Sequence, residues 1–470
     1  MKQARHDLVI TPQVRPLIGS VPSPPDENLG NLALFFAALS DDTSEIRRLG
    51  KGADVTAMTA ALRQLGVEVA EESDGVTRVV GRTLRGLREA AGPVSTGTSL
   101  STMVRLASAL VGHPFRTTLV SAARGALGEG HPTTERRAAH ESAVMTDVAG
   151  ALRRRAAQVE GAFAAARPGK IEAPFLVGPL AHDYALSGLE HETGAPDRHV
   201  KEALLLSALY ADEATFVRET TVSCDHAERM LEALGVPVLR AGSIVQINPE
   251  AWDGKIPAFS CAVPGDVSAA VLFLAMATLV KDSRVCVRNV VLSPTRTGAF
   301  DWLRQLGGPV DVAPSAASLG EMEGTVCASY APLRAVALAG EVFVHGEADF
   351  PVLAAVAARA AGTTEIALGD VRMPWGDAES VASVLRAFGV QVHLDRDQLS
   401  IEGRPGEALQ AAQIDAEGDA AAASTALLLG LVADGPTTIR NVDALAFRFP
   451  RFVGTMRAIG ADVRVSQREA

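Results

Sequence analysis

Histidines, acidic side chains and cysteines are the groups here that could move protons, hold a metal or attack carbon, and the chain carries 10, 55 and 4 of them. His199, His226, Asp349, Asp377 and Asp419 are each of a type that transfers protons. Position rather than type singles them out, and position becomes readable only through the repeats and motifs of the rest of the chain. The cysteines Cys224, Cys261, Cys286 and Cys327 form no C-x-x-C pair and have no histidine at metal-ligand spacing. Neither a metal site nor a disulfide framework is therefore expected, and a reducing cytoplasm fits. The segment LGKGADV at 49–55 lacks the G-x-x-x-x-G-K-[ST] spacing that cradles nucleotide phosphates and reads as a turn. No cofactor is implied.

The elements that must position such groups come from a chain of 470 residues, 47% hydrophobic and 21% charged, which is enough for two cores and little disorder. A net charge of −11 repels nucleic acid and anionic lipid. The start, MKQARHDLVITPQ, has no apolar leader core, and no later run is long enough to span a bilayer, so neither export nor membrane insertion is expected. Arg136–Arg137 and Arg153–Arg155 read as solvated helix faces.

The chain repeats itself. AALRQLGVEV, MLEALGVPV, DWLRQLGGPV, VLRAFGVQV and TMRAIGADV each end a helix at a glycine, namely Gly66, Gly235, Gly307, Gly389 and Gly460, where a left-handed cap needs one. Apolar helices such as VSAAVLFLAMATLV precede them in matching positions. The glycines lie roughly 70–80 residues apart, except that the gap from Gly66 to Gly235 holds two repeats, with a weaker copy placed near 100–180. Six α/β repeats are expected, each with one helix buried against its neighbours.

Motifs then become specific. VPGDVSAAVLFLAMATLV at 263–280 with the following SPTRTG, HVKEALLLSALYADEATFV with VSCDHAERMLEALGV, EADFPVLAAVAARAAGTT and EGDAAAASTALLLGLVADGPTTI resemble segments of the 5-enolpyruvylshikimate-3-phosphate synthase family. The resemblance covers essentially the whole chain. It implies a two-domain α/β enolpyruvyl transferase fold of six βαβαββ-like repeats, forming inside-out α/β barrel halves. Residues 1–22 with 264–470 would make one domain and 23–263 the other. A small-molecule ligand would bind in the interdomain cleft, towards which helix amino ends point.

Carried over residue by residue, the family's anion-binding equipment is largely missing. In its PGDKSISHR motif, Glu27 takes the Lys position, Asn28 the Ser and Leu32 the Arg. In GNAGTAMR, Val104 stands at the Arg, with Arg105 one residue on, about 100° around a helix. SAQ becomes Asp197, Arg198 and His199, while Ser223 survives from the phosphate contacts. Ala348 replaces the proposed base, with Asp349 beside it. KESDR becomes Pro374, Trp375, Gly376, Asp377 and Ala378; GDHR puts Asp419 before Ala420 and Ala421; and Phe447 takes a late Lys. Each lost charge-assisted contact costs about 1.5–3 kcal/mol, and the replacements are mostly apolar.

The resemblance therefore implies a repurposed enzyme of isomerase, lyase or cyclase type, acting on a less charged substrate of specialised metabolism. Leu32, Trp375 and Phe447 would wall one pocket, with His199 or Asp349 moving the proton. One alternative is an unconventional carboxyvinyltransferase using Arg105, Arg198, Arg372 and Arg448; another is a non-catalytic binding homologue. Simpler roles compete for single residues: a helix start for His226 behind Asp225, helix caps for Asp349 and Asp266, and local bonding for Arg296.

Overall fold

The computed structural model describes residues 5–122, 132–164, 167–180, 184–194, 196–339, 341–368, 378–442, 449 and 451–468. Two units emerge. Unit 1 comprises residues 1–24, 265–316 and 322–470, and unit 2 comprises 25–264 with 317–321. The helices of unit 2 are α1 (Glu27–Leu39), α2 (Ala53–Gln64), α3 (Leu100–Leu110), α4 (Pro132–Arg153), α5 (Arg198–Ala208) and α6 (His226–Ala233). Among the described residues, those of unit 1 are α7 (Val267–Leu279), α8 (Gly298–Gln305), α9 (Glu341–Gly346), α10 (Phe350–Ala357), α11 (Ala378–Ala387), α12 (Ala420–Gly430) and α13 (Phe452–Ala458).

The described strands make six four-stranded sheets, and no sheet closes into a barrel. One order recurs. In unit 2, Leu189–Glu192 runs parallel to Thr215–Arg218, which pairs antiparallel with Ile244–Ile247, beside Val238–Ala241. Apolar helices fill the space between sheets: α7 and α12 are buried at every position, α1 from Leu29 to Leu39. A helix that is apolar all round can only be stable inside, which is where the sequence puts these.

The five cap glycines adopt φ of 84°, 83°, 99°, 77° and 101° at Gly66, Gly235, Gly307, Gly389 and Gly460. The weaker sixth copy ends differently. After α4 the left-handed residue is Ala156, with φ 65°, which explains why this repeat was hard to see. An exposed alanine held there carries backbone strain that glycine does not. Ala156→Gly should thus stabilise the fold by about 0.5–1 kcal/mol, read as a higher urea midpoint; a lower midpoint would refute the strain argument.

Three expectations need correction here. Arg155 is no solvated helix residue: it is 0% exposed and donates to Leu204 O (3.0 Å), Ser207 Oγ (2.6 Å) and Thr215 Oγ1. Burial lowers its guanidinium to about 10. It lies in the turn that follows α4, and its side chain folds inward to take up carbonyl and hydroxyl oxygens near the end of α5. Leu32, expected to line a pocket, is 1% exposed within the buried run of α1 and belongs to the core. Cys286 and Cys327 form a disulfide between adjacent antiparallel strands, where they are register partners with Cα atoms 4.0 Å apart. Strand pairing, not sequence spacing, brings them together, so the four cysteines are not uniformly reduced.

Two strands are exchanged along the chain. Ile18–Pro22 leads into α1 of unit 2 but pairs with Arg284–Val291 of unit 1, whereas Ser260–Ala262 leads into α7 of unit 1 but pairs with Thr43–Arg47 of unit 2. The amino-terminal strand Arg5–Ile10 sits between Thr437–Arg440 and Val463–Arg468. Arg5–Ile10 therefore completes the sheet of the last repeat.

Candidate functional site

In unit 2 the starts of α1, α3 and α5 carry positions to which the family resemblance assigns anion binding, and α2 begins against Glu27 of α1. Asp26 caps α1 by accepting the Leu29 N–H (2.9 Å), and Ser99 caps α3 by accepting that of Thr102 (3.1 Å). At α2 the cap is Gly52, which has no side chain to offer, and the carboxylate of Glu27 fills the place. It accepts the Asp54 N–H at 3.2 Å, and a Cβ on Gly52 would lie 1.3 Å from Glu27 Oε1. The partial positive charge of this helix start is thus met by the protein's own anion.

Arg105 is equally committed. It is 0% exposed; Nε donates to Glu202, Nη1 to Asn31 Oδ1 (2.6 Å) and Asn28 O (3.2 Å), and Nη2 to Asn28 Oδ1 (2.5 Å). Asn31 also donates to Asp54 O (2.8 Å) and Thr102 Oγ1 (2.7 Å), which ties α1, α2 and α3 together. Burial raises the Asp54 carboxyl, while a Ser99 hydrogen bond and the charges of Arg105 and Arg198 oppose that rise. Arg198, half-buried, opens α5, whose cap Asp197 accepts the His199 and Val200 N–H groups at 3.0 and 3.2 Å. His199 is 7% exposed, with Nδ1 4.0 Å from Asp197 and its ring edge-on to that of His140 at 6.3 Å.

Beyond α5 lies a cluster that the sequence did not reveal. Lys201, 1% exposed, reaches Glu219 (2.9 Å), Glu228 (2.8 Å) and the carbonyl of Ser223 (3.0 Å). The available signal was a lysine just ahead of the apolar run Ala203–Leu206 of α5. Ser223 donates its N–H to Glu219 (3.1 Å), and its hydroxyl, 6% exposed, meets no partner among the described residues. His226 does open α6, but it is 2% exposed and its Nδ1 lies 2.7 Å from Oε1 of Glu321, so a simple helix start understates it. Asp225 binds Arg229 (2.8 Å) and Arg240 (3.2 Å) instead of capping α6 with its side chain.

In unit 1, Asp349 is 1% exposed at the start of α10, where its carboxylate makes no cap hydrogen bond, contrary to the capping expectation. With Ser268, Ala421, Ser424 and Phe449 it lines a cavity of about 10 Å3, room for about one water. Asp419 is a cap: it accepts the Ala421 N–H (2.8 Å) and the Ser380 hydroxyl (2.9 Å). Asp266 caps α7 through Ala269 (2.7 Å), and Arg296 bonds locally to Ser268 (3.4 Å), as expected. Arg372, Trp375, Asp377, Phe447 and Arg448 lie outside the described residues. Among the described residues no cluster of His, Cys, Asp and Glu is arranged to hold a metal ion, and no helix is long and apolar enough to cross a membrane.

The EPSP synthase (3-phosphoshikimate 1-carboxyvinyltransferase) family model matches residues 12–124 and 145–456. The chain is 32% identical over 458 residues to the 3-phosphoshikimate 1-carboxyvinyltransferase of Acidithiobacillus ferrooxidans, covering 96% of this chain and 98% of that protein. To the enzyme of that name from a Synechococcus species it is 32% identical over 444 residues, covering 93% and 95%. Among solved structures, EPSP synthase from Acinetobacter baumannii superposes with a TM-score of 0.83 at 24% identity, over 98% of this chain and 100% of that one. The enolpyruvyl transferase NikO from Streptomyces tendae does so with 0.72 at 18% identity, over 99% and 100%. At those identities the structures show a shared fold, and the full-length matches above 30% show more: the chain belongs to the EPSP synthase (3-phosphoshikimate 1-carboxyvinyltransferase) family.

Proposed function

We propose that this family member has left carboxyvinyl transfer to a phosphorylated acceptor and acts on a less charged small molecule, as an isomerase, lyase or cyclase of specialised metabolism in the cytoplasm. The observation that carries the reading is the internal neutralisation of the anion-binding positions. Glu27 occupies the start of α2, and Arg105 is enclosed by Glu202, Asn28 and Asn31. An incoming phosphate 4 Å from the Glu27 carboxylate would meet a repulsion of about 4 kcal/mol at an effective dielectric constant of 20. His199 in unit 2 and Asp349 in unit 1 are the groups to which we assign proton transfer, and the Ser223 hydroxyl is a ligand contact.

The experiment is direct. Purified protein given phosphoenolpyruvate and shikimate 3-phosphate should release no phosphate above background. Turnover near ~1 per second or faster would overturn the proposal and favour the unconventional transferase, with Arg198 among its cations. A native mass spectrum with a retained small molecule of low charge that the protein converts supports the proposal; a protein that retains a ligand unchanged and turns over nothing is the non-catalytic binding homologue instead.

A further inference from the structure

Cys224 stands two residues before His226 in SCDHAERM and, unlike its neighbours, is only half-buried. The imidazole of His226 has Nδ1 2.7 Å from Oε1 of Glu321, and Cys224 is close enough to interact with the same ring. Glu321 comes from the tip of the hairpin formed by Val310–Ser318 and Glu321–Ser329, whose residues 317–321 belong to unit 2. That tip is held closely. Ser318 Oγ accepts the Ala262 N–H (3.0 Å), and Gly320, at φ 79°, leaves no room for a side chain because a Cβ would lie 2.3 Å from Arg229 O.

A carboxylate at Nδ1 fixes the imidazole as the tautomer whose other nitrogen is basic, and a basic imidazole beside a thiol is the arrangement that makes sulfur a nucleophile. We propose that Cys224 is a nucleophilic residue, served by His226 as base and positioned by Glu321, that adds to small, weakly charged α,β-unsaturated carbonyl compounds. In the addition the Sγ–C bond forms as the alkene π bond breaks. The thiol proton passes to His226 and then to the neighbouring carbon, so atoms and electrons balance without oxidant, reductant or leaving group. Addition is favoured over acyl transfer because it needs no leaving group. The Ser223 hydroxyl, buried and without a partner among the described residues, is the adjacent donor for the carbonyl oxygen.

Burial opposes a charged imidazole, yet Cys224 and Glu321 outweigh it and hold His226 well above its ordinary range, which makes it a strong proton acceptor. The charged groups of these elements are Glu228, Arg229 and Glu232 of α6, Asp225 just before it, and Arg198, Lys201 and Glu202 of α5; Arg229 faces Asp225, Glu321 and Glu228. Cys261 provides an internal reference. It is 7% exposed, and burial alone pushes its thiol up to about 12.

The test uses acrylamide as probe and peptide mass spectrometry as readout. At neutral pH Cys224 of the folded protein should be alkylated at least ~10-fold faster than Cys224 of the same chain in concentrated urea. Cys261 should remain unmodified when folded. A folded rate at or below the unfolded rate overturns the proposal, and this comparison needs no variant. Glu321→Gln, shown folded by circular dichroism, should slow the reaction towards the unfolded rate and move the pH midpoint of alkylation upward. A folded Glu321→Gln protein with the wild-type rate and profile would equally overturn it. The outcome is independent of whether the chain performs carboxyvinyl transfer.

Discussion

Replacing Lys201 with methionine should destabilise the protein by about 3–5 kcal/mol, the usual consequence of removing one partner from a buried ion cluster. Lys201 is 1% exposed, and the carboxylates of Glu219 and Glu228 that converge on it are 4% and 2% exposed. Without the ammonium, two carboxylates face each other away from water. Burial already raises the Glu228 carboxyl, and Lys201 is the first of the groups that hold it down. Burial also opposes the charge on Lys201, yet the two glutamates keep its ammonium protonated beyond the ordinary lysine range. The triple change Lys201→Met, Glu219→Gln and Glu228→Gln should recover much of the loss, because no unpaired charge remains. Urea denaturation measures both. A Lys201→Met protein within ~1 kcal/mol of wild type would mean that water screens the cluster as it does a surface pair.

His113 should make the protein acid-labile. Its ring is 0% exposed, packed against Phe115 and Tyr210, with Nδ1 3.0 Å from Ala109 O and no partner for Nε2 among the described residues. Burial lowers its pKa from 6.5 to about 4, assisted by the charge of Arg85. The unfolded chain therefore binds this proton more readily than the native one. Stability is full above the unfolded value of 6.5 and falls as the pH drops from there to about 4. The loss should approach about 3 kcal/mol, since one pKa unit is worth about 1.4 kcal/mol. His113→Phe keeps the aromatic packing and removes the titration, so its stability should change less over the same interval. Parallel wild-type and variant curves from pH 7 to 4 would show that other groups control the acid limb.

Local signals were legible and long-range partners were not. Five glycines announced five helix ends because a left-handed backbone demands that residue, and the sixth repeat was faint because Ala156 does the same at a cost. Asp266 was readable as a cap since the group it bonds is three residues away. Arg105 could be noticed as a displaced cation, but its partner Glu202 is 97 residues distant, and only the packing of α3 on α5 brings the two together. His226 and Glu321, 95 residues apart, meet for a similar reason. Asp419, a carboxylate at a family site position, also satisfies a helix start, a local role that its two-residue spacing from Ala421 could have announced. Sequence position says where a charge lies along the chain, and tertiary packing decides whether it remains available.

The pairing of the amino-terminal strand carries a consequence for synthesis. Arg5–Ile10 leaves the ribosome well before its partners, Thr437–Arg440 and Val463–Arg468. At ~5–20 residues per second the strand waits roughly 20–90 s with both edges unpaired. Unit 2, apart from the short hairpin tip, is complete once residue 264 has emerged. The nascent chain should therefore protect residues 25–264 from a protease well before it protects its own first 24, and the charged residues Arg5, His6 and Asp7 are what stands against premature edge-to-edge association during that interval.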